Sequence, residues 1–399
     1  MQEDAGIAAD MVVDNDRLRS LLARHEAFWN RATGNSFLRS VGVFAPSVPV
    51  ALPQRDGSVV TRAERLTPDM VDPVALIEQV ENWDPQRLDA TLRVQGQYLI
   101  SVGLGDQMPS SCPLGKIPWV EAMLGCPLKM TEGQIWNEHY PGDPEEMIRR
   151  GVNLTHNPWF QLYLEFLRQL QSRLGTRYPV SANTLLRGTS DLAAAVMGVQ
   201  KACLAWIDRP AFMARLMRVC TDALLMVVEA GYQVLEPYVS AGGTDKGYYP
   251  SIYALLAPGP VVSTQADHSS LISPAMYAEQ ILPYDLEVIR SCPYSVFHLH
   301  NCGLHVAPSL IEVPELDVIE VMVDPYPVGE RKQYEIEMLR TILAKKSLIL
   351  DVSLPSLEEG EWLLTQLPRQ RLCFNARFDP ETFARLPVGL PGSEVWSLG

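Results

Sequence analysis

The sequence lacks several features that would have decided its class at once. It has no run of lysine and arginine; 33 basic side chains stand against 47 acidic ones, for a formal charge of −14. Such a surface repels phosphate, so nucleic acid and anionic membrane are excluded as expected partners. It has no long hydrophobic run. The most apolar helical stretch, Ala223 to Leu235, is interrupted by Glu229 and is too short to cross a bilayer. The opening Met1-Gln2-Glu3-Asp4 offers neither a basic region nor an apolar core, so no signal peptide is expected. Cysteine is scarce and scattered, at 112, 126, 203, 220, 292, 302 and 373. An odd, dispersed set makes no disulfide framework, and reduced thiols in the cytoplasm are the expectation. No Gly-x-Gly-x-x-Gly and no Walker-type loop occurs, which argues against an open nucleotide-binding sheet.

What the chain does have is alternation. Short β-rich runs at Tyr178–Leu186, Pro260–Asp267, Val296–Cys302, Val318–Val323, Leu348–Val352 and Arg371–Phe378 are separated by helical patterns. Those patterns include Asp191–Ile207, Arg209–Glu229, a helix opening at Ser273-Pro274, Tyr334–Lys345 and Leu357–Leu367. Repeated strand–helix steps predict parallel strands with right-handed crossovers, and a closed (β/α)8 TIM barrel is the expected fold. Residues 1–90 are read as a helical and irregular extension packed on that barrel. The whole chain, 1–399, is expected to be one domain, because no linker or charge block divides it.

In such a barrel the chemistry sits at the C-terminal strand ends. The candidates there are Asp267, then His298, His300 and Cys302, then Asp351, then Asn375 and Arg377. The segment His298-Leu299-His300-Asn301-Cys302-Gly303 is the sharpest. Alternation puts His298, His300 and Cys302 on one face, and an imidazole with a thiolate two residues on can reach one metal ion. The alternative is a set of buried polar groups bonded to neighbours, with Cys302 acting as a small hydrophobe. Asp267 is a cation or substrate ligand, or else a turn aspartate. Arg377 holds an anionic substrate bidentately, or pairs with Asp351 or Asp267. Tyr248 and Tyr249, in Gly247-Tyr248-Tyr249-Pro250, line a cofactor pocket or a surface loop, and Asn375 joins the cofactor-binding candidates.

Several segments in order resemble the uroporphyrinogen decarboxylase superfamily, which includes zinc methyltransferases that act on methylated corrinoids. They are Pro118-Trp119-Val120-Glu121 with Gly133-Gln134-Ile135-Trp136, Arg187-Gly188-Thr189-Ser190-Asp191-Leu192, Asp267-His268-Ser269-Ser270 with Ser273-Pro274, and His300-Asn301-Cys302-Gly303. The resemblance spans roughly residues 90 to 380. It implies zinc on His300 and Cys302, Asp267 and His298 as catalytic groups, and Arg377 on an anionic substrate. It also implies a methylated corrinoid or thiol as co-substrate, a corrinoid protein as partner, and pairing into a homodimer. Two departures matter. The Arg-Gln-Ala-Gly-Arg run of true decarboxylases is absent. The third cysteine ligand is missing too, since Cys373 lies at the opposite end of the last strand; His298, Asp267 or Asp351 could substitute in a mixed nitrogen, sulfur and oxygen site, or else no metal is bound. A metal-independent decarboxylase of a small or tetrapyrrole-like acid, and a non-catalytic corrinoid-binding barrel, therefore stand beside the zinc methyltransferase or demethylase.

Overall fold

The computed structural model describes residues 15–32, 36–43, 50–54, 56–81, 99–101, 105–182, 187–239 and 246–385. Its centre is a six-stranded, all-parallel sheet: β1 (Leu38–Val43), β2 (Val261–Gln265), β3 (Tyr294–His300), β4 (Val318–Val323), β5 (Ser347–Ser353) and β6 (Leu372–Phe378). The spatial order is β1-β6-β5-β4-β3-β2. From β2 onward each strand lies beside its successor, and the first lies beside the last. That cyclic order gives a TIM-barrel-like α/β fold. Among the described residues no ladder joins β1 to β2, so no closed ring of strands is seen. A parallel bridge between Ser111 and Val180 lies outside the six strands, and an antiparallel one joins Ser40 of β1 to Gly105. Part of the expected strand Tyr178–Leu186 lies outside the described residues.

Two expectations change. Leu38–Val43 belongs to the N-terminal region read as helices and loops, yet it is a barrel strand pairing in register with β6 from Leu38↔Cys373 to Val43↔Phe378. Its polar Arg39 and Ser40 and its Gly42 dilute the apolar pattern of a buried strand. The single helix expected over Asp191–Ile207 is two, Thr189–Met197 and Val199–Asp208, broken at Gly198, whose φ of 88° is in the left-handed region. Pro210 opens the next helix as expected, and Ser273 caps its own by accepting from the Met276 N–H at 3.2 Å.

The inward faces of the strands form layers. Lowest are Leu38, Val261, Val296, Val318, Ile349 and Cys373, all buried. Helix α1 (Asn15–Trp29) closes this end: Phe28 and Trp29 pack into the same apolar cluster, and the Ser347 hydroxyl donates to the Phe28 carbonyl at 2.7 Å. Burial of each large apolar side chain here stabilises by about 1.5–3 kcal/mol. His25 of the same helix accepts at Nδ1 from the Leu256 N–H, so its Nε2 donates to the Asp106 carbonyl. Burial pushes this imidazole down to about 4, consistent with the neutral form those two bonds require.

Above the apolar layer the strand pattern turns polar: Ser40, Ser263, His298, Glu320, Asp351 and Asn375 occupy the next inward positions. The outward faces, with Phe297, Leu299, Ile319, Val321, Leu348, Leu350 and Phe374, pack in the main core shared with the helices. No helix among the described residues is long and apolar enough to cross a membrane.

One buried acid sits in that outer packing. Asp285 is fully enclosed and accepts from Thr189 at 2.6 Å and Tyr277 at 3.0 Å. Burial pushes its carboxyl up to about 7, against the pull of those two donors. The folded state thus holds this proton more tightly than the unfolded chain. The associated stability is complete below the ordinary aspartate range and is lost as pH rises through about 7. We predict that the stability advantage of wild type over Asp285→Asn shrinks between about pH 4 and about pH 8 in urea unfolding. A gap independent of pH would contradict the assignment.

Candidate metal centre at the barrel mouth

The centre is built from the polar layer upward. Glu320 lies mid-strand in β4 and has no exposed surface. Register places it beside His298 on β3, and its Oε2 is hydrogen-bonded to His298 Nδ1. Tyr253 donates to the same oxygen at 3.3 Å. Burial alone would lower the His298 pKa, but the Glu320 charge and hydrogen bond, then Asp267, raise it to about 9. With Nδ1 turned to Glu320, Nε2 is the atom presented to the mouth. It lies 3.7 Å from Asp267 Oδ1.

His300, two residues on, points the same way, with its Nε2 3.8 Å from the same oxygen. The two imidazoles stand edge to face, centroids 4.8 Å apart. One ligand atom from each of Asp267, His298 and His300 therefore falls within 4.8 Å of the others. The buried Asp267 Oδ1 has no hydrogen-bond partner. A buried carboxylate oxygen without a donor is costly, and a cation held between it and two imidazole nitrogens removes that cost. The residues present thus fit a divalent metal ion. Two imidazoles and one carboxylate are the three-ligand set of several catalytic zinc sites, which keep a fourth position open. His300 and Asp267 are each about one-third exposed, so that position faces the mouth.

Asp267 is held from behind. Its Oδ2 accepts from Gln265 Nε2 at 2.8 Å, which leaves Oδ1 for the histidines. Asp191, buried at the start of its helix, accepts from Gln265 Nε2 at 2.9 Å and from the His268 N–H at 2.8 Å. Burial and the Asp191 charge raise the Asp267 pKa, while His298, His300 and Arg187 pull it down. Gly188 makes this assembly possible. A Cβ there would fall 1.5 Å from the Gln265 carbonyl oxygen, so the backbone before Asp191 presses directly on the end of β2.

The remaining candidates separate. Strand β3 ends at His300, and the chain enters a tight turn, Asn301–Val306. Strand alternation no longer applies beyond that point. Cys302 is exposed and stands outside the group of three; of the expected His300–Cys302 pair, His300 joins Asp267 and His298 there. Arg377 donates to Asp351 in an ion pair, the second of the arrangements open to it. Burial pushes Asp351 up to about 6, with Arg377 pulling it down and Glu320 adding to the rise. Asn375 accepts from Ser40 at 2.7 Å and is an interior packing group. Tyr248 and Tyr249 do not line the mouth. Tyr248 is buried against Leu18, Leu22 and Leu256, with its hydroxyl bonded to Glu26 of α1, and Tyr249 packs against Tyr232 and the lower apolar layer. Both lie on the plugged side, because the chain before β2 returns beneath the barrel.

Glu320, Gln265, Asp191 and Arg187 were not among the sequence candidates. For Glu320 a signal exists: an acid inside Val318-Ile319-Glu320-Val321-Met322-Val323 is out of place in any core that lacks a partner for it.

No family model matches this sequence, and no curated protein does. Among solved structures, a methyltransferase from Methanosarcina mazei aligns over 91% of this chain and 94% of its own, with a TM-score of 0.52 and 14% identity. At that identity the likeness is one of fold.

Two outcomes are expected. Glu320→Gln should weaken zinc binding by about 10- to 100-fold in a competition titration, because the carboxylate behind a ligating histidine fixes its tautomer and basicity. Unchanged affinity would remove Glu320 from the site. Gly188→Ala should cost about 1–3 kcal/mol in denaturant unfolding and reduce zinc affinity as well, since it displaces the end of β2. A variant as stable and as competent as wild type would show that the backbone has room to move.

Proposed function

We propose that the chain is a zinc-dependent methyltransferase or demethylase that passes a methyl group between a methylated corrinoid and a thiol at the barrel mouth. The observation that carries this reading is the orphaned Asp267 Oδ1 facing His298 and His300, with Glu320 behind His298. Membership of the uroporphyrinogen decarboxylase superfamily belongs to the same reading. Its support is the ordered sequence segments together with a fold shared with a methyltransferase.

Zinc bound there would lower the pKa of a coordinated thiol and hold it as thiolate at neutral pH. The protein's own groups have narrower tasks. Asp267, His298 and His300 would hold the ion. Glu320 and Tyr253 keep His298 in one tautomer. Gln265 and Asp191 fix the carboxylate, and the exposed side of His300 and Asp267 admits the acceptor. A corrinoid protein would present the methyl group from outside, since the lower end is closed by α1. Cys302 takes no ligand role in this version of the site.

Purified protein should contain about one zinc per chain, the stoichiometry of a single catalytic site. Asp267→Ala and His300→Ala should lose that zinc and the transfer of methyl from free methylcobalamin to a thiol, while Cys302→Ser keeps both. Full methyl transfer by metal-free wild type would defeat the proposal. Activity that survives chelation but is abolished by Asp267→Asn would favour the lyase reading, in which Asp267 stabilises developing positive charge.

A further inference from the structure

The side chain beside the triad that has no part in the scheme above is Arg187. Its backbone is placed by the Gly188 contact with Gln265 and by the Asp191 network, the same elements that place Asp267. Its Nε donates to Glu121 Oε1 at 3.1 Å, and Glu121 is 1% exposed with its other oxygen lacking any hydrogen bond. A buried carboxylate held on one edge fixes the plane of the guanidinium. The opposite edge, with the two terminal nitrogens, makes no hydrogen bond among the described residues. Asp267 Oδ2 lies 3.8 Å from NH1, beyond hydrogen-bond reach. The side chain is 45% exposed. Arg377 contrasts with this, because one of its terminal nitrogens is already given to Asp351.

A metal ion in the triad would draw on the Asp267 charge that now offsets Arg187. The terminal edge of the arginine would then be a pre-oriented, uncompensated donor pair beside the open metal position. We propose that Arg187 receives a carboxylate carried by the substrate whose reacting atom meets the metal. A planar carboxylate matches two parallel N–H donors. A phosphate dianion would need more donors than one arginine edge supplies and would meet Glu121, Asp191 and Asp267 nearby. This inference rests on the reading of the site as a thiol-binding metal centre, and it names the class of thiol: one bearing a carboxylate a short chain away.

The test uses the full chain loaded with cobalt(II), whose thiolate complexes absorb in the near ultraviolet. Mercaptopropionate and its neutral amide are titrated in parallel. Wild type should hold the acid about 10- to 100-fold more tightly than the amide, the range of one charge-assisted bidentate pair. Arg187→Lys should keep part of that preference. Arg187→Gln combined with Glu121→Gln, which leaves no buried charge unpaired, should erase it without changing amide affinity or cobalt content. A preference that survives in the double variant, or is missing from wild type, overturns the proposal. Absence of any thiolate band defeats the metal reading instead. The carboxylate site is then judged by calorimetry of propionate with the metal-free chain, where binding lost in the double variant supports it and absence of binding overturns it.

Discussion

A carboxylate sealed from water in the middle of a parallel β-sheet has to be answered by its neighbours, and Glu320 is that carboxylate. Its strand is otherwise apolar, so nothing local solvates it. The answer comes at one oxygen, Oε2, from the adjacent strand, where register sets His298 beside it, and from the Tyr253 hydroxyl, while the buried Oε1 has no hydrogen-bond partner among the described residues. Breaking such a buried pair by removing one partner costs about 3–5 kcal/mol in typical proteins. The orientation of His298 follows from that pairing. The direction of Nε2, the meeting with Asp267 and the position of His300 follow in turn.

The layering of the interior makes this affordable. Apolar side chains from all six strands, sealed by Phe28 and Trp29, supply the packing at one end. The polar layer can then be held together by a few well-placed pairs: Glu320 with His298, Asp351 with Arg377, Asn375 with Ser40. Stability and chemistry are separated along the barrel axis, with Glu320 and Asp351 at the level where one gives way to the other.

Much of this was legible in the sequence, for physical reasons. Strands β2 to β6 announce themselves because a strand buried on both faces must be apolar almost throughout. The polar residues that break those runs, His298, His300 and Asp351, mark the inward face. Leu38–Val43 was not legible, since Arg39, Ser40 and Gly42 give it the look of a loop. Cys302 does not share the face of the two histidines, because alternation holds only while the strand continues, and nothing local says that β3 stops at His300. Glu320 needed the register between strands, which is a property of the assembled sheet. Tyr248 and Tyr249 needed knowledge of which end of the barrel their loop visits. Arg187 needed the contact that brings Gly188 onto Gln265, made by residues more than seventy positions apart.

The plug formed by α1 has a consequence for traffic. With Trp29 among the lower strand residues and edge-on to Tyr294, helix α1 covers the N-terminal ends of the six strands. Among the described residues the exposed sides of His300 and Asp267 lie at the opposite end. On the reading proposed above, a small and a large reactant would then share one side of the sheet, and the smaller would have to be seated before the larger covered it.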